Sequence, residues 1–587
     1  MTDKTKEFDT PLARTDAGYW GSDLIAETLR GLGYKHVALN PGSSFRGLHD
    51  SLVNHLGNQD PQMLLCLHEE HAVSIAHGWA KVTGEPMAVI LHANVGLMHA
   101  SMAIYNAWCD RVPMAIFGAT GPVAADKRRP WIDWIHTSRD QASIVRDYVK
   151  WDDQPASLEA SLASMVRADR ITRTVPHGPT YVCFDVTVQE EPAPGGVLVP
   201  DPSAFAIPAA PEPSATQIEA LAIKLTAARS PVFLMGRVSR DAGDWAIRVA
   251  LAEHLNARVI TDIKTGASFP TDHPLHVGPP SFFLADSTAQ AVAGSDLIVT
   301  LDWVDPAGAL KQAGATGDVV TVTLDHLLAN GWTFDPMEPP ASSLHIAAEP
   351  DAVLRGLAAH LGVTPTAAHA PSTTPQEAPT PTDGAMSMDR FAQAIEAGFS
   401  GEPVTFVRLP LGWNGGARAF RHPLDYLGYD GGAGIGSGPG MLVGAALALK
   451  GGDRIPVGVL GDGDTMMGVS ALWSAARYDI PMIAVVCNNR SYFNDEVHQE
   501  KVARMRARPV ENKHIGQAIR EPDIDFAAIA RAQGLAAIGP VETPADLVAA
   551  LRQATRLFRE GKAVLIEARV DPEYSEAMSK GMTETGG

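Results

Sequence analysis

Short runs of consecutive apolar residues alternate with longer stretches of helical period along most of the chain. HVALNPG (36–42) is an apolar run that ends in a Pro-Gly turn, and LLCLHEEHAVSIAHGWAKVTG (64–84) is a short run followed by a helix that Gly84 closes. PMAVILH (86–92), VPMAIFGA (112–119) and PTYVCFDV (179–186) read as strands that are apolar on both faces. The alternation returns with PVFLMG (231–236), ARVITD (257–262), DLIVTL (296–301) and DVVTVTL (318–324). It returns a third time with VGVL (457–460), MIAVVC (482–487) and AVLIEARV (563–570). Two-faced apolar strands alternating with helices predict α/β domains, each with a doubly wound parallel sheet. Two stretches break the pattern and read as linkers, a Pro-rich one at 190–214 and a Thr-, Pro- and Ala-rich one at 364–384 that is expected to be poorly ordered. The expected organisation is an N-terminal domain over 17–189, a central domain over 215–362, a linker over 363–386 and a C-terminal domain over 387–573.

A chain of 587 residues is too long for one core and suits about three or four domains. Apolar content of 45% with 19% charged residues is ordinary for a soluble globular protein. The formal charge of −20 argues against a nucleic-acid surface or an anionic membrane as partner. Cys66, Cys109, Cys183 and Cys487 have no metal-ligand spacing, and each lies in an apolar run, as buried free thiols do. The first sixteen residues lack the apolar core of a signal peptide, and no stretch is long enough to span a bilayer, so a cytoplasmic location is expected.

Chemistry enters at GDGDTMMGVSALWSAARYDIPMIAVVCNN (461–489). One apolar strand stops at Gly461 and the next stops at Asn488-Asn489, with a helical stretch between them. Parallel strands joined by a helix bring their ends to the same sheet edge, so Asp462 and Asn489 become neighbours. Their carboxylate and amide oxygens suit Mg²⁺, which takes hard oxygen ligands and phosphate. Gly461 and Gly463 allow backbone amides to come close to a phosphate. The stretch reads as a metal-diphosphate anchor.

With three α/β domains and this anchor in the last, the chain resembles the thiamine-diphosphate enzymes of the decarboxylase and acetohydroxyacid synthase type, and among them the benzoylformate decarboxylases. The resemblance rests on NPGS (40–43), HEEHAVSIAHGWAKVTG (68–84), LHANVGLMHASMAIYNAW (91–108), VKWDDQPAS (149–157), SALWSAARYDIP (470–481) and IDFAAIARAQG (524–534). It implies thiamine diphosphate and Mg²⁺ as cofactors, with a pyrimidine-binding N-terminal domain and a diphosphate-binding C-terminal one. It implies that Glu69 is the acid that hydrogen-bonds the cofactor's pyrimidine ring, Glu70 lacking the preceding histidine and the spacing to Ala72 and Gly78. Asp462, Asn489 and the main-chain carbonyl of Ser491 would ligate the metal. Asp464 and Thr465 would either face the diphosphate or form a polar turn, and Ile435 would be the apolar residue beneath the bent cofactor or a core side chain. Ser43 and His92 match the serine and histidine that hold the substrate carboxylate and move protons, although Ser43 also suits a turn cap.

The implied activity is a non-oxidative lyase acting on a 2-keto acid through a covalent C2 adduct and enamine, with an aromatic substrate in view. An acetolactate-synthase-like or benzoin-type carboligase or C–C lyase is the alternative, and a non-catalytic scaffold a minor one. The substrates would be a 2-keto acid, aldehyde or acyloin, and the partner a second copy of the chain, as a dimer or dimer of dimers with sites between subunits. FAD is not expected, because TDHPLHVGPPS (271–281) carries no persuasive pattern for it. Three departures stand out. LDWVDPAGAL (301–310) offers Asp302, Trp303 and Asp305 where the decarboxylases have a second histidine, RLPLGWNGG (408–416) replaces a Thr/Ser-rich diphosphate turn, and NVGLMH (94–99) replaces a Gly-Pro-Gly turn ending in asparagine. The charged stretch 488–509 either closes over the site, with His498 or Arg504 reaching the substrate, or is a solvated helix. The end of the chain, SEAMSKGMTETGG, is either a tail or a cover for the site.

Overall fold

The computed structural model describes residues 9–12, 18–328, 340–372, 377–378, 381 and 384–574. The expected tail or cover at 575–587 lies outside them. Three parallel sheets organise the chain. The first contains β1 (His36–Leu39), β2 (Gln62–Leu65), β3 (Ala88–Leu91), β4 (Met114–Thr120), β5 (Trp151–Asp153) and β6 (Pro179–Asp185) in the order β2-β1-β3-β4-β6-β5. The second contains β7 (Pro231–Met235), β8 (Arg258–Thr261), β9 (Leu297–Leu301), β10 (Asp318–Val322) and β11 (Leu344–Ile346) in the order β11-β10-β9-β7-β8. The third contains β12 (Val404–Arg408), β13 (Ile455–Gly461), β14 (Met482–Asn488), β15 (Ala536–Val541) and β16 (Ala563–Arg569) in the order β12-β13-β14-β16-β15. The central strands are buried on both faces, which is why they read as unbroken apolar runs.

Strands β5, β11, β12 and β15 were not among those expected from the apolar runs. β5 and β11 are three-residue edge strands in which Ile346 alone is buried, and β15 contains Gly539-Pro540 and a register shift. β12 is an edge strand whose register also shifts, between Phe406 and Arg408. The single helix expected between β13 and β14 is two. Their junction, near Ser470, is used, because the Ser470 hydroxyl lies 2.8 Å from His71 Nε2 of the N-terminal domain. The segment 364–372, expected to be poorly ordered, is pinned by a His369–Glu253 contact of 2.9 Å and by the Ser372 amide on the Arg421 carbonyl.

Six helices position the site: α1 (Glu69–Thr83), α2 (Ala93–Cys109), α3 (Gly438–Leu449), α4 (Asp462–Gly468), α5 (Ala471–Arg477) and α6 (Phe493–Met505). His68 caps α1 by accepting the Glu70 amide, two glutamates occupy the positive first turn, and Gly84 ends the helix at φ +72°. α1 crosses α3 with the two backbones in contact. A Cβ on Gly78 would lie 2.0 Å from the Met441 carbonyl oxygen, and one on Gly444 would lie 1.8 Å from that of Ile75. These glycines let the N-terminal and C-terminal domains share one apolar core around Ala72, Ile75, Met441 and Leu442.

Candidate active site

The register of β13 on β14 sets Gly461 opposite Cys487, so Asp462 and Asn489 follow on adjacent strand ends. Asp462 is 3% exposed. Its carboxylate accepts from the amides of Gly463 at 2.8 Å and Ser491 at 3.1 Å, and the Ser491 amide also reaches Asn489 Oδ1 at 3.0 Å. Burial pushes the Asp462 carboxyl up to about 6, against the opposing pull of the amides from Gly463, Ser491 and Arg490. Among the described residues, the groups that bond its oxygens are backbone amides, so a buried negative charge lacks a cation. A Cβ on Gly461 would meet nothing within 4 Å, which leaves open space at the strand end. Hard oxygens around such a space fit a divalent cation carrying phosphate.

Asp464 and Thr465, the next residues, are occupied by the protein itself. Asp464 accepts the amides of Gly436 at 2.7 Å and Gly438 at 3.3 Å and faces Arg408 Nε at 3.1 Å. The Thr465 hydroxyl donates back to the Gly461 carbonyl at 2.7 Å. Ile435 is half-buried in the loop that Asp464 ties down, just before Gly436 at φ +109°. Arg408 ends β12 in a buried cluster with Asp430 and the Tyr429 hydroxyl, and the Ser437 hydroxyl donates to Asp430 at 3.0 Å. This ion cluster stands where the resemblance implied a Thr/Ser turn.

The other half of the site lies at the reversal of the first sheet. Strand order turns between β1 and β3, and the loops that leave these two strands flank the resulting crevice. Glu69 is 7% exposed in the first turn of α1. Its Oε2 lies 3.0 Å from His99 Nδ1 on α2. Glu70 turns the other way, toward Gly436, and burial together with Asp464 pushes its carboxyl up to about 7. His68 stacks on His99 with ring centroids 5.0 Å apart. His68, Glu69 and His99 offer ligand atoms within 4.8 Å of one another. His68 nevertheless uses Nδ1 as the helix cap, which leaves the ring proton on Nε2 and removes it from any metal set.

His92 precedes α2, directly after β3. Its Nδ1 receives the Ser44 amide at 3.3 Å and lies 2.9 Å from the Ser44 hydroxyl, which itself accepts the Ala93 amide at 3.1 Å. The amide can only donate, so Nδ1 is the acceptor and Nε2 carries the proton. Burial and the neighbouring His136, whose ring meets His92 edge-on at 4.9 Å, push the His92 titration down, while Glu69 opposes them. Ser43 is exposed beside this pair, and its carbonyl accepts from Arg46 at 3.2 Å. The serine that holds the histidine is Ser44, which the sequence reading passed over. The doubled serine of NPGSS was the available signal.

The substitutes for the absent central-domain histidine are engaged locally. Asp302 accepts from the Thr323 hydroxyl at 2.7 Å, Trp303 is buried, and Asp305 caps the next helix by accepting the Gly308 amide. In α6, His498 is exposed, and Arg504 pairs with Glu500 at 2.6 Å. His77 pairs with Asp110 at 2.7 Å, as a structural histidine does. Cys66, Cys183 and Cys487 are buried and Cys109 is half-buried, all as free thiols. Among the described residues, no helix is long and apolar enough to cross a membrane.

Residues 19–144 match the N-terminal TPP-binding domain model of the thiamine pyrophosphate enzymes, 218–326 the central domain model and 412–568 the C-terminal TPP-binding domain model. A benzoylformate decarboxylase of Pseudomonas aeruginosa is 26% identical over 549 residues, covering 92% of this chain and 97% of the relative. A sulfoacetaldehyde acetyltransferase of Rhodobacter capsulatus is 25% identical, with 89% of this chain and 90% of the relative covered. The solved structure of a thiamine diphosphate-dependent 4-hydroxybenzoylformate decarboxylase from Rhodococcus jostii superposes with a TM-score of 0.76 at 25% identity, over 95% of this chain and 100% of that one. Three matching domain models in the family's order, on three sheets that carry both halves of the site, establish that the chain belongs to the thiamine pyrophosphate enzymes.

Proposed function

We propose that the protein is a lyase that decarboxylates a 2-keto acid without net oxidation and releases an aldehyde, with Mg²⁺ and thiamine diphosphate as resident cofactors. The observation that carries the reading is Asp462, a buried carboxylate with amide partners alone, set beside Asn489 at adjacent strand ends. Asp462, Asn489 and the Ser491 carbonyl would hold Mg²⁺, and the open space at Gly461 would take the diphosphate. The N-terminal crevice, with Glu69, would take the pyrimidine, and Ile435 would lie beneath the cofactor. When bound, thiamine diphosphate supplies a carbon nucleophile and an electron sink for the bond being broken. Asp464 and Thr465 act indirectly, by holding the 434–438 loop and the start of α4 in place.

The chain's own groups divide the proton work. Glu69, buried at low dielectric, holds the proton exchanged with the pyrimidine ring. Neutral His92 presents Nε2–H to the crevice, where it donates to a carbonyl-derived oxygen as negative charge develops there. Ser43, which is exposed, would hold the substrate carboxylate. The decarboxylases named above support a 2-keto acid with an aryl group as the first substrate class to test.

A carboligase reading of the acetolactate-synthase or benzoin type stands second. Asp302 and Asp305 are committed within the central domain and Trp303 is buried, so among the described residues the second histidine of the decarboxylases lacks a substitute there. Self-association as a dimer or dimer of dimers is also proposed. Leu67, Met98, Met102, Met466 and Met467 are all exposed on the elements that carry the site, and apolar surface of this kind calls for a cover. The four free thiols support a reducing, cytoplasmic setting. The test is Glu69→Gln. It should abolish CO₂ release from a 2-keto acid while Mg²⁺-thiamine diphosphate still binds, and unchanged turnover would overturn the reading.

A further inference from the structure

His136 is a second imidazole beside His92, carried on a segment that is fastened to the site. It ends the short helix Ile132–Ile135, its amide donating to the Ile132 carbonyl at 3.0 Å. Asn94, in the first turn of α2, donates to the Ile135 carbonyl at 3.1 Å. Asp133 is buried and accepts from the Arg129 amide at 2.7 Å and from the Arg129 guanidinium at 2.8 Å. Gly121 makes room for this packing, since a Cβ there would run into Thr137 and Asp133. The His136 ring is thereby set against that of His92, with 87° between their planes. Its Nδ1 is buried and has no partner among the described residues. An unmet lone pair is tolerated in such a place better than an unmet N–H, so the ring keeps a proton on Nε2. His92 likewise carries its proton on Nε2. Two imidazoles therefore stand side by side, each with an Nε2–H to give.

We infer that His136 binds the substrate carboxylate through Nε2–H, next to the oxygen that His92 serves. The inference rests on the proposed reading of the site as that of a 2-keto acid lyase. The keto oxygen and the carboxylate of such an acid are on adjacent carbons, so two adjacent donors match them. The cations nearby are committed elsewhere, Arg129 to Asp133 and Arg46, beside Ser43, to Glu190 at 2.8 Å. The carboxylate therefore falls to N–H and O–H donors, His136 together with Ser43. A second histidine thus serves the site from the N-terminal domain, where the decarboxylases draw theirs from the central one. A group that holds the carboxylate acts on the bound acid before CO₂ leaves, so its loss appears in KM rather than in kcat.

The test uses protein loaded with Mg²⁺-thiamine diphosphate at about pH 7.5, where His92 is neutral with or without its neighbour. The probes are benzoylformate, as substrate, and mandelate, an aryl 2-hydroxy acid with the same carboxylate and no keto carbon to attack. His136→Leu should raise the KM for benzoylformate and the calorimetric Kd of mandelate about tenfold, the worth of one hydrogen bond to a charged group, with kcat held within about threefold. His136→Gln keeps an N–H donor and should return both constants to within about threefold of wild type. Unchanged mandelate affinity in His136→Leu, or equal losses in His136→Leu and His136→Gln, would overturn the inference. Should His136→Leu fail to fold, His136→Gln is compared with His136→Glu, which should lose mandelate; equal affinity in those two would overturn the inference as well. Failure of wild type to release CO₂ from benzoylformate would instead overturn the aryl 2-keto acid reading of the site, so the two failures are distinct.

Discussion

Replacing Asp462 with asparagine should stabilise the cofactor-free protein and abolish its response to cofactor. Burial raises this carboxyl from its ordinary 3.8 to about 6. At about 1.36 kcal/mol per pH unit, keeping it ionised at pH 7.5 costs the native state about 3 kcal/mol. Asparagine removes the charge but sets an NH₂ group against one of the two amides from Gly463 and Ser491, a loss of about 1 kcal/mol. The net gain at pH 7.5 is about 2 kcal/mol. The sign with pH follows from a native value above the unfolded one. The native state binds the proton more tightly, so the cost in wild type relaxes as pH falls through 6 and is gone below 3.8. The gap between variant and wild type should therefore close on acidification. Urea unfolding of the cofactor-free proteins at pH 7.5 and pH 5 measures it, followed by the same curves with Mg²⁺-thiamine diphosphate, which should stabilise wild type alone. A variant less stable than wild type at pH 7.5, with a gap independent of pH, would refute the reasoning. Equal stabilisation of both proteins by cofactor would refute it as well.

Other consequences follow from the same geometry. Ser44→Ala removes the hydroxyl that engages His92 and Ala93, so it should cost about 1–2 kcal/mol in stability and lower kcat, whereas Ser43→Ala should raise KM; denaturation and steady-state kinetics separate the two. His136→Gln removes an imidazole 4.9 Å from His92 and should move the His92 titration upward, read by histidine NMR in the cofactor-free protein. Gly78→Ala places a methyl 2.0 Å from the Met441 carbonyl, where neither backbone can yield. It should cost more than the roughly 1–3 kcal/mol of ordinary overpacking, seen as an early loss of the joint unfolding transition. Sedimentation should show a dimer or larger, and a fully active monomer would contradict the proposed assembly.

The apolar runs revealed the three sheets because buried parallel strands carry a signal in every residue, as β4 and β14 do. Edge strands such as β5 and β15 carry half of that signal or less. Asp462 and Asn489 were legible because the strand-helix-strand connection fixes where two strand ends meet. The contacts of His99 with Glu69 and of Ser44 with His92 were not, because they depend on which side of a helix or turn faces a neighbour distant in sequence. Asp464 read equally as a phosphate contact or as part of a polar turn, and only the position of the 434–438 loop shows it serving that loop and Arg408. The buried Arg408–Asp430 pair joins positions 22 residues apart that no short pattern connects.

The central claim is that this chain cleaves the bond between a 2-keto carbon and its carboxylate with thiamine diphosphate held at Asp462 and Glu69. The most direct measurement is CO₂ release from a panel of aryl and alkyl 2-keto acids by protein loaded with Mg²⁺-thiamine diphosphate, with product analysis for aldehyde or acyloin and with Glu69→Gln in parallel. The account predicts cofactor-dependent CO₂ release with aldehyde as product, lost in the variant. CO₂ release that survives without cofactor or without Glu69, or none from any acid of the panel, would contradict it.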